Sequence, residues 1–272
     1  MNALGEGRPQ SGMRPATNDD GALMFARYAY PPNSLGYCGP DDPDALLDQV
    51  AARVADGTLR EAARGFAGAW PYLELIAHCN ATADPLAPAV VEAYWVGSRL
   101  LDQVTPGALG DSFDERFRPR VGRAWDDLLA GVLAGARPHH NFHVFGVYPW
   151  LGLIRSGVVD QPLTVLDGCR IRWGRLVSVD GDEAVVMSRP LEWDGAALHL
   201  GHRRDEVVRI AAAGRHLAAD PVVGDWVSMH WDWVCDRLTE QQVRRLRLET
   251  LAALGAVNDT SRSRSPAAAT VP

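Results

Sequence analysis

The hydrophobic period of this chain changes once, and that change limits the folds open to it. From Asp41 to about Ile154 apolar residues recur at helical spacing, and from Leu163 to Met229 the period turns towards two. Asp41 and Asp42 offer caps before Leu46, Leu47, Val50, Ala51 and Val54, one stripe closed by Gly57. Leu59–Phe66 and Trp70–His78 form a second helical region, interrupted near Pro71. Pro88 opens a third, apolar almost all round through Val91, Tyr94, Trp95, Leu100 and Leu101, the pattern of a buried helix. Arg123–Ala136 and Asn141–Ile154 make a fourth and a fifth, the last kinked at Pro149.

In the second half, Asp180-Gly181 separates Val177-Ser178-Val179 from Ala184–Met187, a strong hairpin signal. Asp194-Gly195 repeats it between Leu191–Trp193 and Ala196–Leu200. Val207–Ile210 and Trp226–Met229 bring the count to about five or six short strands, which suits a small barrel. Thr239 and Gln242 form a capping box for a helix whose inner face is Val243, Leu246, Thr250 and Leu254. The class is therefore α+β. An N-terminal all-α helical domain spans 23–158 and a β-barrel domain with a C-terminal helix spans 163–255, with the boundary near Ser156–Pro162. Residues 1–22 and 256–272, poor in large apolar groups, read as a disordered arm and tail.

A hydrophobic fraction of 47% in 272 residues supports a real core, and a net charge of −7 argues against a nucleic-acid-binding surface. Every one of the 27 basic residues is Arg. The cysteines, Cys38, Cys79, Cys169 and Cys235, form no CxxC pair, which argues against a zinc ribbon. Neither a secretory h-region nor a membrane-length apolar run is present, so the expectation is a cytoplasmic protein with reduced thiols and no membrane partner. No phosphate loop, nucleophile elbow or HExxH sequence occurs, and the chain reads as a non-enzyme. Glu74 and Glu92 lie on apolar helices, where an ion pair with Arg is the ordinary outcome.

Two groups of residues carry metal-binding chemistry. Cys169 follows Asp167-Gly168 at the expected entrance of a strand, with Arg170 and Arg172 on the opposite face. Nearby guanidinium charge favours thiolate, which suits soft metals and low-spin iron. His230 ends a strand and offers an imidazole as second ligand. The competing reading makes Cys169 a small core residue and His230 a hydrogen-bonded rim residue. In the helical half, His139, His140 and His143 lie at metal-ligand spacing on a helix, with His78 and Cys79 available from another. Neutral imidazoles there suit nickel, zinc or haem iron, and a polar helix start explains them equally well. Phe25–Asp41 reads as a loop, with Tyr30-Pro31-Pro32 extended and Cys38 near a helix N-terminus that lowers its thiol pKa.

The order of Cys169, Gly174, the turn Asp180-Gly181-Asp182, Val223-Gly224-Asp225, His230 and the helix at Thr239-Glu240-Gln241-Gln242 resembles the HypC/HupF family of nickel–iron hydrogenase assembly chaperones. The match covers about Asp167 to Leu254. It implies a small OB-like β-barrel with a C-terminal helix. It also implies iron, as a transient iron–dicyanide–carbonyl group, held at Cys169 and His230. The partners implied are the hydrogenase large-subunit precursor and other maturation proteins. Here the cysteine is internal, Trp173 precedes the glycine, and an insertion carries Trp193 and His199. The Phe25–Asp41 segment is similar to an uncharacterised actinobacterial family encoded with hydrogenases. The alternative function is a haem- or metal-binding accessory protein using His139, His140 and His143.

Overall fold

The computed structural model describes residues 21–121, 135–218 and 220–262, and its architecture is α+β: helices, then strands, then a C-terminal helix. The chain enters at α1 (Gly21–Ser34), which is buried at every residue except Ser34. Thus Gly21 and Ala22 are core positions rather than part of a disordered arm, and 1–20 lie outside the described residues. The expected loop at Tyr30-Pro31-Pro32 is also corrected, because both prolines are inside α1. An apolar sequence buried on all sides outweighs the local preference of proline for extended backbone.

Asp42 caps α2 (Pro43–Ala52) by accepting from the Ala45 amide, and the helix ends at Arg53 in the left-handed region, φ 55°, rather than at Gly57. Gly57 instead opens α3 (Gly57–Arg64) under an Asp56 cap. In α4 (Trp70–Cys79), Pro71 sits in the first turn, where its missing N–H has no helical partner to lose. After α5 (Pro88–Trp95) and a 3-10 turn at Arg99–Gln103 comes α6 (Pro106–Val121). The expected helix over Arg123–Ala136 falls almost wholly outside the described residues. The expected fifth helix is broken rather than kinked. A single turn, His140–Phe142, runs into a π-type turn, His143–Val147, and α7 (Trp150–Arg155) begins anew. Pro149 causes the break, since it forces Tyr148 to ψ 148°.

Cys169 is the last residue of a helix, α8 (Asp160–Cys169), and not the start of a strand. Val165, Leu166 and Cys169 bury one helical face, and the strand region begins at Arg172 rather than Leu163. The sheet strands are β1 (Arg172–Asp180), β2 (Glu183–Ser188), β5 (Arg204–Arg209), β8 (Trp226–His230) and β9 (Trp233–Leu238). Two ribbons complete the set: β3 (Leu191–Trp193) with β4 (Leu198–Leu200), and β6 (Ala211–Ala212) with β7 (Arg215–His216). The main order β1-β2-β5-β9-β8 returns to β1. All its joins are antiparallel except β5 to β9, which is one parallel pair, Arg209 with Trp233.

Gly181 turns β1 into β2 at φ 58°, and Asp194 closes the β3–β4 turn by accepting from the Ala196 and Ala197 amides. The Thr239–Gln242 capping box forms as spaced, with Thr239 N–H donating to Gln242 Oε1 at 2.8 Å. It opens α9 (Glu240–Arg262), which continues through buried Ala256 and Val257, so the expected tail begins inside a helix. Residues 263–272 lie outside the described residues. A large apolar cluster runs from α1 through the helices to Trp233, Cys235 and α9. A separate aliphatic cluster fills the strand ring. Among the described residues no helix is long and apolar enough to cross a membrane.

Candidate metal centre

Three chain segments that are distant in sequence meet where the helices join the strand ring. Cys169 ends α8, His230 ends β8, and His140 opens the single turn after Gly135. Asn141 fixes that meeting. Its Oδ1 accepts from the Ile171 amide at 2.7 Å, and its Nδ2 donates to the Ile171 carbonyl at 3.3 Å and to Thr250 Oγ1 at 2.8 Å. The amide side chain stands in for a neighbouring strand and sets its neighbour His140 beside Cys169. On the other side, Trp231 N–H donates to the Gly168 carbonyl at 2.7 Å. The Trp231 ring lies on Gly168, where a Cβ would come within 2.8 Å of it, so this position excludes a side chain. Trp231 itself is left-handed, φ 52°, a strain of about 1–2 kcal/mol held between the two strands that carry His230 and Trp233.

One ligand atom each from His140, Cys169 and His230 lies within 4.8 Å of the others, and all three residues are buried. The histidines differ in readiness. A carbonyl only accepts, so His230 Nδ1–H donates to the Tyr28 carbonyl at 2.6 Å. Nε2 then carries the lone pair, and it is buried without a hydrogen-bond partner. By the same reasoning, His140 Nε2–H donates to the Cys169 carbonyl at 2.9 Å, and its Nδ1 accepts from the Tyr94 hydroxyl at 3.1 Å. Ligation by His140 needs the proton on Nδ1, with the Tyr94 oxygen accepting it.

Burial keeps all three groups uncharged. It pushes the Cys169 thiol well above its ordinary value, helped by the neighbouring Cys38. It lowers His230 far below 6.5, with His140 adding to the effect, and lowers His140 to about 4. The expected thiolate-favouring field of Arg170 and Arg172 is therefore corrected. Both arginines are buried and neutralised, Arg170 by Asp167 at 2.8 Å and Arg172 by Glu206 at 3.2 Å. A metal has to displace the thiol proton, so binding weakens as pH falls.

The three groups face a cavity of about 200 Å³ whose wall includes Cys38, Phe66, Trp95, His143 and Tyr148. Its exposed rim includes Tyr37, stacked on Trp231 at 4.6 Å. Cys38 lies on the wall, and burial raises its thiol to about 12, against the expected lowering by a helix dipole. His143 reaches the same wall, held by Tyr72, whose hydroxyl is 3.0 Å from Nδ1. His139 does not reach it; its Nδ1 accepts from the Asn141 amide, and burial lowers its pKa to about 3. His78 is exposed and, like Cys79, lies off the cavity wall. Glu74 accepts from the Trp70 indole at 2.7 Å rather than pairing with Arg, and burial raises the half-buried Glu92, which bonds Gln242.

A family model described as a family of unknown function (DUF6390) matches residues 17–264. The chain belongs to this family. No curated protein and no solved structure matches it. The match takes in both halves of this DUF6390 chain, and with them all three clustered residues. Sequence reasoning paired Cys169 with His230 and nominated His140 apart from them. It did not find Asn141, Tyr94 or the Tyr28 carbonyl, whose roles are visible only as contacts between distant segments.

Proposed function

We propose that this DUF6390 member is a non-enzymatic assembly factor for nickel–iron hydrogenase, holding an iron–dicyanide–carbonyl group as cargo at Cys169 and His230, with His140 beside them. One observation carries the reading: a fully buried imidazole nitrogen, His230 Nε2, has no hydrogen-bond partner, and His230 and Cys169 bring ligand atoms within 4.8 Å of each other. A buried polar atom left unpaired is costly, and a metal ligand is the role in which such a lone pair is used. Iron(II) with two cyanides and a carbonyl is electrically neutral, and an apolar cavity admits it more readily than a bare divalent cation. The ordered sequence resemblance to the HypC/HupF chaperones supports the same cargo. The client in this reading is the large-subunit precursor, met together with other maturation proteins in the cytoplasm. Infrared spectra of anaerobically purified protein should contain cyanide and carbonyl bands that vanish in Cys169→Ala. Their absence from the wild type overturns the iron assignment.

A second reading, a metal-binding accessory protein built on the histidines of the helical half, is favoured by one fact: His140 and His143 line the same cavity. Within that reading a cavity of about 200 Å³ favours a single metal ion over haem, being smaller than the ~300–1,000 Å³ that takes drug-sized ligands. Metal lost in His143→Ala and kept in Cys169→Ala decides for it.

A further inference from the structure

The tautomer of His230 depends on a proline. In an α-helix the carbonyl of residue 28 accepts from the amide of residue 32. In α1 that residue is Pro32, which has no N–H, and a proline ring also pushes the carbonyl four residues back off the helix axis. The Tyr28 carbonyl is thus left over within a helix buried at every residue but Ser34, where an orphan acceptor is unfavourable. It is the carbonyl that His230 Nδ1–H meets at 2.6 Å.

We propose that Pro32 is a positioning residue for the metal centre: by removing the helix's own donor it reserves the Tyr28 carbonyl for His230, and so turns Nε2 towards Cys169 as a ligand. This rests on the metal reading above. Pro31, one residue earlier, removes the helical donor opposite residue 27, whereas His230 Nδ1 meets the carbonyl of Tyr28, which makes Pro31 an internal control. The inference accounts for Pro32 inside a buried helix, a placement that helix propensity disfavours.

The test uses the full chain carrying Pro32→Ala, with Pro31→Ala beside it. Alanine at 32 restores an N–H that competes with His230 for the Tyr28 carbonyl. Two readouts should separate. The thermal midpoint should change little, because the helix gains the hydrogen bond that the imidazole loses. Cobalt(II) affinity under anaerobic conditions should fall about 10- to 100-fold, the usual effect of losing the outer partner of a ligating histidine. Nitrogen-15 NMR of the His230 ring should report loss of the pure Nδ1–H tautomer. Pro31→Ala should leave affinity and tautomer unchanged. The proposal is overturned by a Pro32→Ala protein that keeps both the Nδ1–H tautomer and wild-type affinity, or by equal loss in Pro31→Ala. A wild-type chain that takes up no cobalt and shows no cyanide or carbonyl bands sinks the metal reading, while the tautomer measurement still decides the role of Pro32.

Discussion

Two cores lie side by side in this molecule and are built from different chemistry. The strand ring closes on Leu176, Ala184, Val186, Val208, Ile210, Val227, Met229 and Val234, with no titratable group among them. The cavity next to it gathers two thiols, three imidazoles and five phenol or indole rings around a space that packing leaves open. Both are lined mainly by apolar groups, yet only the second contains polar atoms whose hydrogen bonds have to be arranged one by one. The difference separates scaffold from site. β8 runs from one to the other, its Met229 in the aliphatic core and its His230 in the cavity.

Substitutions on either side should separate those roles. The largest effect is expected where the two cores are tied together. Asn141→Leu leaves both backbone groups of Ile171 unpaired and should cost roughly 4 kcal/mol in urea unfolding, with loss of cobalt uptake. Next, Leu176→Ala empties part of the aliphatic core and should cost about 3 kcal/mol while cobalt affinity is retained. If that variant lost its metal, scaffold and site would not be separable.

Acid should come third. His139, His140 and His230 have pKa values held below 6.5 in the folded chain. Their contribution is whole above that pH and is lost as pH falls through about 4 and 3, since the unfolded chain takes up the protons first. Glu249, raised to about 7, works in the opposite sense, as does Glu92. Three histidines should outweigh two carboxyls, so the thermal midpoint should drop on acidification below pH 6.5. A flat profile there would mean the imidazoles are not buried neutral. The smallest effect on stability belongs to Cys169→Ala, about 1 kcal/mol, accompanied by complete loss of the cobalt–thiolate absorption.

What the sequence revealed followed the range of the interaction. The Asp180-Gly181 and Asp194-Gly195 hairpins and the Thr239–Gln242 capping box are set by residues within four positions of each other, and all three form. The end of α8 was misread because Arg170, Ile171 and Arg172 alternate like a strand while Val165, Leu166 and Cys169 bury a helical face. Pro31 and Pro32 were misread because their local preference was overruled by a buried helix. Adjacent His139 and His140 look equivalent in sequence. Packing turns one to the Asn141 amide and the other to Cys169.

The one-pair join between β5 and β9 has a mechanical consequence. Trp233 is the residue paired with Arg209 across that join, and on its other edge it is paired with His230. The thinnest seam of the ring is therefore one strand away from the imidazole. A ring yields first at its thinnest seam, and this seam adjoins the strand pair that carries His230. Hydrogen exchange should find the amide of Arg209, bonded across the join to the Asp232 carbonyl, opening ahead of the β1–β2 ladder.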